Sequence, residues 1–556
     1  MTSLEAWSPA DGLTLEKNAL LAVKELEQSL ALTAGPGAGK TEVLAQRADF
    51  LLRTGESRYP KRILAISFKV DASKNLKQRV QKRCGFELAS RFDSYTFHGF
   101  AKRIVDRFRP VLQGADYLEP GYKIGTQFVR GKQIKFDQLI PLAIKILSSC
   151  AAARNALCQT YSDVFLDEFQ DCTTEQYQLL HLIFLGKPIR LTAVGDVKQK
   201  IMGWAGAMDG IFAQFVDDFE AKPLHLFRNF RSKPRLLRMQ NEVIRALDPD
   251  AVMAGELIAG DEGEIIAYHF DDSEREAGYI VNAIRHWVTV DQIPLHEIAI
   301  LFSRQISDYG TFIMDGLDAA GIPYRNEHQS QDLVNEPAAR LIIDYLACLY
   351  RPREPKGWMR LMEQFSVVDS EDNESTVQAV FESIYGAHRK RVKLSVRSAE
   401  PYESWWDMAQ EFLEEVGLPL LTSLSPDYEA KARLGEVVDQ THQQLNVLYE
   451  QGSDLLSALD RFSNDQAIRL LTVHKSKGLE FHSVVMPAIE TQTFWGKPYE
   501  ERCSFFVGIS RAKDRLLLTN CERRFTPPTH PARWNESRSQ HAEFMGYVVP
   551  FLSDEA

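Results

Sequence analysis

Short apolar runs alternate with longer stretches of helical periodicity along most of the chain. Each run is bounded by polar or turn-forming residues and has the length of a buried strand rather than of a helix. Strands that are apolar on both faces favour a parallel sheet covered by helices on both sides. The predicted strands are 31–33, 63–67, 164–166, 191–196, 297–303, 468–473 and 483–487.

The predicted strands fall into two groups, and a mainly helical segment interrupts each group. The pattern therefore predicts two α/β cores, each with a helical insertion. The first core comprises 1–101 and 160–230 around an insertion at 102–159, and the second comprises 231–334 and 463–556 around an insertion at 335–462.

Composition is that of a large globular protein with several domains. The chain has 556 residues, of which 44% are hydrophobic, and no apolar run reaches the length of a membrane span. The N-terminus lacks the basic-then-apolar pattern of a secretory signal. Seven cysteines occur without a C-x-x-C pair, which predicts reduced thiols, a cytoplasmic location and no zinc or iron–sulfur site. The net charge of −11 describes the whole surface and leaves room for a local nucleic-acid groove.

A glycine-rich turn follows the first predicted strand. Residues 34–41 read AGPGAGKT and lead into a helical pattern. Such a turn lets backbone N–H groups converge on a polyphosphate at the start of a helix, while the lysine reaches the outer phosphates and the threonine hydroxyl binds Mg²⁺. The alternative is a structural glycine turn, and Ala34 stands where the usual pattern begins with glycine. The predicted nucleotide-binding residues are Gly35, Gly37, Ala38, Gly39, Lys40 and Thr41.

Acidic residues end the predicted strand at 164–166. Ligands bind at the carboxyl ends of the strands in open α/β sheets. Asp167 is placed to hold Mg²⁺, and Glu168 to orient and deprotonate an attacking water. The alternative is an acidic loop that caps the following helix. Together with the phosphate loop, the pair predicts phosphoryl transfer to water.

Seven motifs occur in a fixed order along the chain. They are SFKVDAS at 67–73, TFHGF at 96–100, DEFQD at 167–171, VGDVKQKIMGWAGA at 194–207, NFRS at 229–232, TVHKSKGLEF at 472–481 and EERCSFFVGISRAK at 500–513. In this order they resemble the UvrD/Rep/PcrA family of superfamily 1A DNA helicases. The resemblance implies two RecA-like P-loop domains, 1A and 2A, that carry the insertions 1B and 2B.

The resemblance also implies a role for individual residues around ATP. Glu168 matches the general base and Asp167 the metal-linked acid, so that Thr41 and Asp167 are the predicted Mg²⁺ ligands. Gln199 matches the γ-phosphate sensor. The two arginines that grip the γ-phosphate correspond to Arg231 and Arg511, the aromatic stacked on the base to Phe230, and the acid near the ribose to Glu480.

A second set of positions corresponds to contacts with single-stranded DNA. Channels of this kind combine contacts to the backbone with aromatic side chains on which bases stack. The predicted DNA-binding residues are Phe68, Thr96, His98, Trp204 and His474. The alternative for the aromatic residues is packing in a core.

Three departures from the family pattern bear on function. The glutamine-bearing segment before the phosphate loop is replaced by Leu15–Ala19, and the arginine after GKT is Glu42. Both family residues contact adenine, so the preference for ATP is open. The family's GWRGA is GWAGA at 203–207, which removes a DNA-contacting arginine.

The resemblance implies an ATP hydrolase that uses Mg²⁺ and translocates 3′→5′ on single-stranded DNA or on DNA with a 3′ tail. Both insertions are short for this family, which predicts weak unwinding by the isolated chain. An alternative is a DNA-stimulated ATPase sensor in an anti-phage complex, such as Gabija, that contains a nuclease partner. A P-loop NTPase that does not act on nucleic acid is a more distant alternative, against which the motifs at 472–481 and 500–513 argue.

Overall fold

The computed structural model describes residues 2–68, 70–125, 128–199, 207–326, 333, 336–366, 374–398, 405–424, 428, 431–452, 454–463, 467–527 and 534–553. The chain divides into two compact units. Unit 1 comprises Met1–Asp272, Val473–Thr526 and Arg533–Ala556, and unit 2 comprises Ser273–Thr472 and Pro527–Ala532.

The strands, in chain order, are β1 Leu30–Ala34, β2 Arg62–Ser67, β3 Phe92–Thr96, β4 Leu118–Gly125, β5 Gly131–Lys135, β6 Tyr161–Leu166, β7 Arg190–Gly195, β8 Lys222–Leu226, β9 Glu264–Asp272, β10 Ile298–Phe302, β11 Tyr324–Asn326, β12 Ile468–Thr472, β13 Phe481–Met486 and β14 Ala512–Arg523.

The α-helices are α1 Lys17–Lys24, α2 Lys40–Thr54, α3 Val70–Cys84, α4 Phe86–Ala89, α5 Phe97–Phe108, α6 Leu139–Ser149, α7 Ala151–Thr160, α8 Thr174–Phe184, α9 Ile211–Phe219, α10 Pro234–Leu247, α11 Ser273–Thr289, α12 Ile306–Tyr309, α13 Thr311–Ala319, α14 Pro337–Tyr350, α15 Pro355–Ser366, α16 Glu374–Ser398, α17 Trp405–Val416, α18 Leu418–Ser423, α19 Lys431–Gly452, α20 Leu455–Ser463, α21 Pro498–Ile509 and α22 Ala542–Val548.

Unit 1 contains a six-stranded sheet in the order β3-β2-β6-β7-β1-β8, and its neighbouring strands are parallel. Successive side chains of a strand point to opposite faces. In β2, Leu64 and Ile66 join one buried cluster, whereas Ile63 and Ala65 join another. Both faces of the sheet are therefore covered by apolar side chains. Polar residues that bind ligands are then expected at the carboxyl ends of the strands.

Unit 1 also contains a second group of parallel strands, in which β14 pairs with β13 on one side and β9 on the other. The backbone N–H of Phe481, at the start of β13, donates to the carbonyl of Arg511, just before β14, at 2.9 Å. The segments that precede β13 and β14 are thus held side by side.

In unit 2, β12 lies between β10 and β11, and both pairs are parallel. All described elements between α14 and α20 are helices, and their apolar faces form one buried cluster that includes Tyr345, Phe412 and Leu445. No helix among the described residues is by itself long and apolar enough to cross a bilayer, although the bent pair Phe136–Ser149 and Ala151–Thr160 reaches that length when its two arms, 103° apart, are taken together.

The predicted α/β class is confirmed, and each apolar run singled out in the sequence overlaps a strand. The 102–159 interval, predicted to be helical, also contains the two-stranded sheet of β4 and β5. Those strands lack the apolar runs of buried central strands, because they read LEPGYKIG and GKQIK. A pattern search for buried strands therefore passes over them.

Candidate nucleotide-hydrolysis site

The carboxyl edge of the first sheet gathers most of the residues that the sequence marks for chemistry. The phosphate loop leaves β1, the acidic pair leaves β6, Gln199 follows β7, and Arg231 follows β8. Because these strands are parallel neighbours, their carboxyl ends lie at one edge. Residues almost 200 positions apart in the chain are thereby brought together.

The phosphate loop has the backbone shape that its glycines allow. Gly37 and Gly39 have φ values of +70° and +75°, in the left-handed region that side-chain-bearing residues rarely adopt. Lys40 begins α2, and its ammonium donates to the carbonyls of Ala34 and Gly35 at 3.3 and 3.4 Å. Thr41 follows in the first turn, where helix N–H groups and the dipole favour an anion.

The segment after β8 packs directly on this loop. The N–H of Phe230 donates to the carbonyl of Gly37 at 2.9 Å. A Cβ placed on Gly37 would lie 2.3 Å from Asn229 Oδ1 and 2.6 Å from Arg231 Cβ. Asn229 Oδ1 also accepts from the N–H of Arg231 at 2.7 Å. The absence of a side chain at Gly37 is what lets Arg231 lie beside the loop.

The acidic pair ends β6 with its first carboxylate buried. The N–H of Asp167 donates to Ile66 of β2 at 3.0 Å, which fixes the pair at the sheet edge. Burial, together with the Glu168 carboxylate, raises the pKa of Asp167. Glu168 has φ +52°, which is uncommon for a residue other than glycine, and its carboxylate accepts from Gln170 Nε2 at 2.5 Å.

Lys477 supplies a cation to this acidic cluster. Its ammonium is buried and donates to Asp171 Oδ2 at 2.5 Å and to the carbonyl of Gln199 at 2.8 Å, and it lies 3.7 Å from Glu168 Oε2. Burial would raise the pKa of Glu168, but Lys477 and Lys40 hold it below its usual range. Glu168 is therefore kept as a carboxylate, which is the form that a general base requires.

Gln199 is held in place from both sides. Its Nε2 donates to Asp196 Oδ2 at 2.9 Å, and Asp196 is fully buried and ion-paired with Lys198 at 3.1 Å. Arg511 Nη2 donates to Gln199 Oε1 at 3.1 Å. The side-chain amide is thereby oriented unambiguously, with its oxygen towards the arginine.

The two predicted arginine fingers lie near one another but differ in exposure. Arg511 is 1% exposed and also donates to the carbonyls of Val507 and Leu479. Burial and the nearby Arg231 guanidinium lower the pKa of Arg511 to about 9, so it remains a cation near neutral pH. Arg231 Nε donates to Glu480 Oε2 at 2.8 Å. Glu480 thus holds Arg231 as well as being the predicted ribose contact.

The remaining nucleotide-side positions are also placed. Phe230 is 59% exposed beside the phosphate loop, and the Arg228 guanidinium lies 5.2 Å from the centre of its ring. Glu42, which replaces the family's arginine, is turned to α3 and forms ion pairs with Arg79 at 3.2 Å and Arg83 at 2.8 Å. The Glu42 carboxylate is therefore neutralised by protein cations and joins α2 to α3.

Four of the five predicted DNA-contact residues, Phe68, Thr96, His98 and His474, lie in the described part of the chain. Phe68 follows β2 and is half-buried, and His474 lies in the turn after β12. Thr96 caps α5, and its hydroxyl accepts from the N–H of Gly99 at 3.1 Å. His98 lies in the first turn of that helix. Trp204 lies outside the described residues.

Two family comparisons cover most of the chain. The UvrD/REP helicase N-terminal domain matches residues 15–124 and 122–220, and the UvrD-like helicase C-terminal domain matches residues 224–386 and 421–523. The chain belongs to the UvrD/Rep/PcrA-like family of superfamily 1 helicases. Members of this family hydrolyse ATP and contain two RecA-like domains. The parallel sheets of this chain agree with that domain layout.

Individual relatives of this UvrD-like chain are ATP-dependent DNA helicases named PcrA. The protein from Staphylococcus epidermidis (strain RP62A) is 24% identical over 620 residues, covering 90% of this chain and 83% of the relative. The protein from Bacillus subtilis (strain 168) is 24% identical over 615 residues, with 90% and 82% covered. The protein from Staphylococcus aureus (strain Mu50) is 23% identical over 614 residues, again with 90% and 82% covered.

The structure of this UvrD-like protein adds residues that the sequence reasoning did not assign. They are Lys477 and Asp171 beside the base, Asp196 and Lys198 behind Gln199, and Asn229 against the phosphate loop. All five lie within the quoted motifs or next to a named site residue. Lys477 and Asn229, however, contact Asp171 and Gly37 in distant parts of the chain, so the motif spacing alone does not reveal those two pairings.

Proposed function

We propose that the chain is an ATP-driven motor that moves 3′→5′ on single-stranded DNA, with Mg²⁺ as the metal cofactor. The observation that carries the proposal is the contact of Lys477 with the hydrolytic cluster, 2.5 Å from Asp171 and 3.7 Å from Glu168. Lys477 lies three residues from His474, a predicted DNA contact. One short segment thus reaches both the base and the predicted DNA path.

Hydrolysis follows from the charges gathered at the sheet edge. Lys40 and the N–H groups of the phosphate loop bind the polyphosphate, and Glu168 orients a water and accepts its proton. Arg511 and Arg231 place positive charge where negative charge grows in the transition state. Gln199 is bonded to Arg511 at 3.1 Å, so that a change at the γ-phosphate is transmitted to the segment before β14.

The residues present fit a magnesium ion bound together with a nucleotide. Mg²⁺ keeps several waters and takes only one or two protein oxygens when phosphates supply the rest. The hydroxyl of Thr41 and the carboxylate of Asp167 form such a donor set at one sheet edge. Burial and the neighbouring Glu168 carboxylate disfavour a negative charge on Asp167, and a bound cation would offset that cost. The ion would neutralise phosphate charge during hydrolysis.

DNA as the substrate is supported by the family and by the relatives' names. The predicted contacts Phe68, Thr96 and His98 lie at the ends of neighbouring strands β2 and β3, in the same sheet as the phosphate loop. A strand of DNA that crosses these ends would run along the edge that holds ATP. Movement of the DNA would thereby be coupled to hydrolysis of ATP.

Weak strand separation by the isolated chain is supported by what the alignment leaves out. An alignment of 620 positions takes in 90% of this 556-residue chain, about 500 residues. The relative therefore has about 120 residues in that span that this chain lacks. Stepping needs only the ATP site and a strand-binding surface, whereas duplex opening also needs a wedge and a hold on the junction. A partner protein, such as a nuclease, would supply those contacts.

Single-turnover unwinding tests this proposal. Duplexes of increasing length with a 3′ tail are mixed with the chain alone and ATP, and an otherwise identical set carries a 5′ tail. The expected result is DNA-stimulated ATP hydrolysis with opening of only the shortest 3′-tailed duplexes. Efficient opening of long duplexes would refute the weak-unwinding proposal, and preference for the 5′ tail would refute the polarity.

A further inference from the structure

The segment that replaces the family's glutamine-bearing motif is bonded to the end of β8. Asn18 lies in the first turn of α1, and its Nδ2 donates to the carbonyl of His225 at 2.7 Å. Glu16 immediately precedes the helix, and its carboxylate accepts two hydrogen bonds. The N–H of Phe227 donates to Oε1 at 3.2 Å, and that of Arg228 donates to Oε2 at 3.0 Å. Although this segment lacks the family's adenine contact, other bonds join it to the carboxyl edge of the sheet.

The two amides bound by Glu16 are the first beyond the strand. The register of β8 against β1 ends at Leu226, opposite Ala34. A backbone N–H that leaves a sheet needs another acceptor, and successive N–H groups that face one point favour an anion. Within the described part of the chain, the Glu16 side chain makes no hydrogen bond to α1, which it precedes. Its carboxylate therefore binds the loop after β8 rather than the N-terminus of its own helix.

That loop carries two of the predicted nucleotide-site residues, Phe230 and Arg231. Its later part is fixed to the phosphate loop, because the N–H of Phe230 donates to the Gly37 carbonyl at 2.9 Å. Glu16 fixes its earlier part. The backbone that carries Arg231 is thus held from two sides, and its guanidinium is directed to Glu480 at 2.8 Å. Loss of the Glu16 carboxylate would free the earlier part of the loop.

We propose that Glu16 is a positioning residue for ATP hydrolysis. It holds the loop after β8 so that Arg231 presents its positive charge to the γ-phosphate. The inference rests on the proposed function, which supplies the role of Arg231. Displacing a catalytic group by about 1 Å costs about 100-fold in rate. Because the bond to Gly37 would persist, loss of the Glu16 carboxylate should displace Arg231 by less than that. A Glu16 that only stabilised the fold would leave the hydrolysis rate of the folded protein unchanged.

ATP hydrolysis by the full chain, in single turnover with the protein in excess of radiolabelled ATP, tests this role. Glu16→Ala is expected to lower the rate by about 10-fold. Glu25→Ala is the matched control. Glu25 immediately follows α1, beside Lys222 at the amino end of β8, and its Oε1 accepts from the N–H groups of Glu27 at 3.0 Å and Gln28 at 3.4 Å. Its loss removes bonds of the same kind at the opposite edge, so the rate should stay at the wild-type value. Melting temperatures of both variants are measured alongside.

A double substitution separates positioning from stability. In a protein that already carries Arg231→Ala, Glu16→Ala should not slow hydrolysis further, because the group that Glu16 positions is gone. Glu16→Gln keeps one accepting oxygen and should slow hydrolysis less than Glu16→Ala, with the same dependence on Arg231. Equal rates for Glu16→Ala and Glu25→Ala, or an equal loss with and without Arg231, would overturn the inference while leaving the motor proposal intact. A wild-type rate for Arg231→Ala would instead refute the role that the proposed function gives this arginine, and the inference with it.

Discussion

Replacing Gly37 by alanine perturbs the contact between the phosphate loop and the segment after β8. The new Cβ would lie 2.3 Å from Asn229 Oδ1 and 2.6 Å from Arg231 Cβ. Ordinary contacts of a Cβ begin at about 3.4 Å, so the segment must retreat by about 1 Å. The residue would also keep φ +70°, which costs an alanine about 1 kcal/mol.

The expected loss of activity is much larger than the loss of stability. Displacing a catalytic group by about 1 Å costs about 100-fold in rate, because the charge no longer meets the developing transition state. The displaced group here is Arg231, whose N–H is tied to Asn229 at 2.7 Å. Gly37→Ala is therefore expected to lower kcat for ATP hydrolysis by about 100-fold.

Gly210→Ala is the matched control for this effect. Gly210 has φ +66°, and a Cβ added there meets no atom of the described residues within 4 Å. It therefore carries backbone strain of the same kind without the clash, and it lies outside the phosphate loop. Steady-state ATP hydrolysis and melting temperature are measured for both variants. Equal kcat values for Gly37→Ala and Gly210→Ala would refute the reasoning that the close approach of Asn229 and Arg231 positions the arginine.

Four further substitutions test the charged network. Lys40→Ala is expected to remove ATP hydrolysis, because the phosphate charge is no longer neutralised. Glu168→Gln should bind ATP without hydrolysing it, because an amide cannot act as a base. Hydrolysis by Glu168→Gln at the wild-type rate would show that another residue is the base. Lys477→Met, which leaves buried carboxylates without their cation, should lower the free energy of unfolding by about 3 kcal/mol in a denaturant titration, and no loss of stability would contradict the buried ion pair. Arg511→Lys cannot reproduce the four hydrogen bonds of the guanidinium. Its kcat should therefore fall about 100-fold with little change in KM, and an unchanged kcat would exclude Arg511 from the transition state.

Much of the first sheet is predictable because its strands are buried on both faces. The apolar runs at β1, β2, β6 and β7 are visible without the structure, and the functional residues follow directly at their ends. Strand β8 escapes the search because it reads KPLHL, with a proline and a histidine among its apolar residues. It is an edge strand in which only Leu226 is buried, and pairing with β1 holds it in the sheet, which is a tertiary effect.

The side-chain contacts within the site are harder to predict from the sequence. The motif that contains Lys477 is recognisable, but its bond to Asp171 joins residues 306 positions apart. Similarly, the sequence shows that Glu42 replaces an arginine, but only the fold reveals that Arg79 and Arg83 neutralise it. Long-range pairing depends on the order of strands in the sheet, which spacing along the chain does not encode.

ATP-driven displacement of streptavidin from a biotinylated oligodeoxynucleotide tests most directly whether the chain moves along DNA. Biotin is placed at the 5′ end of one strand and at the 3′ end of another, and displacement is followed with the chain alone and with Glu168→Gln as the inactive control. A 3′→5′ motor clears streptavidin from the 5′ end, only with ATP and only with the wild-type base. Displacement at neither end would contradict translocation itself, and faster displacement at the 3′ end would contradict its direction.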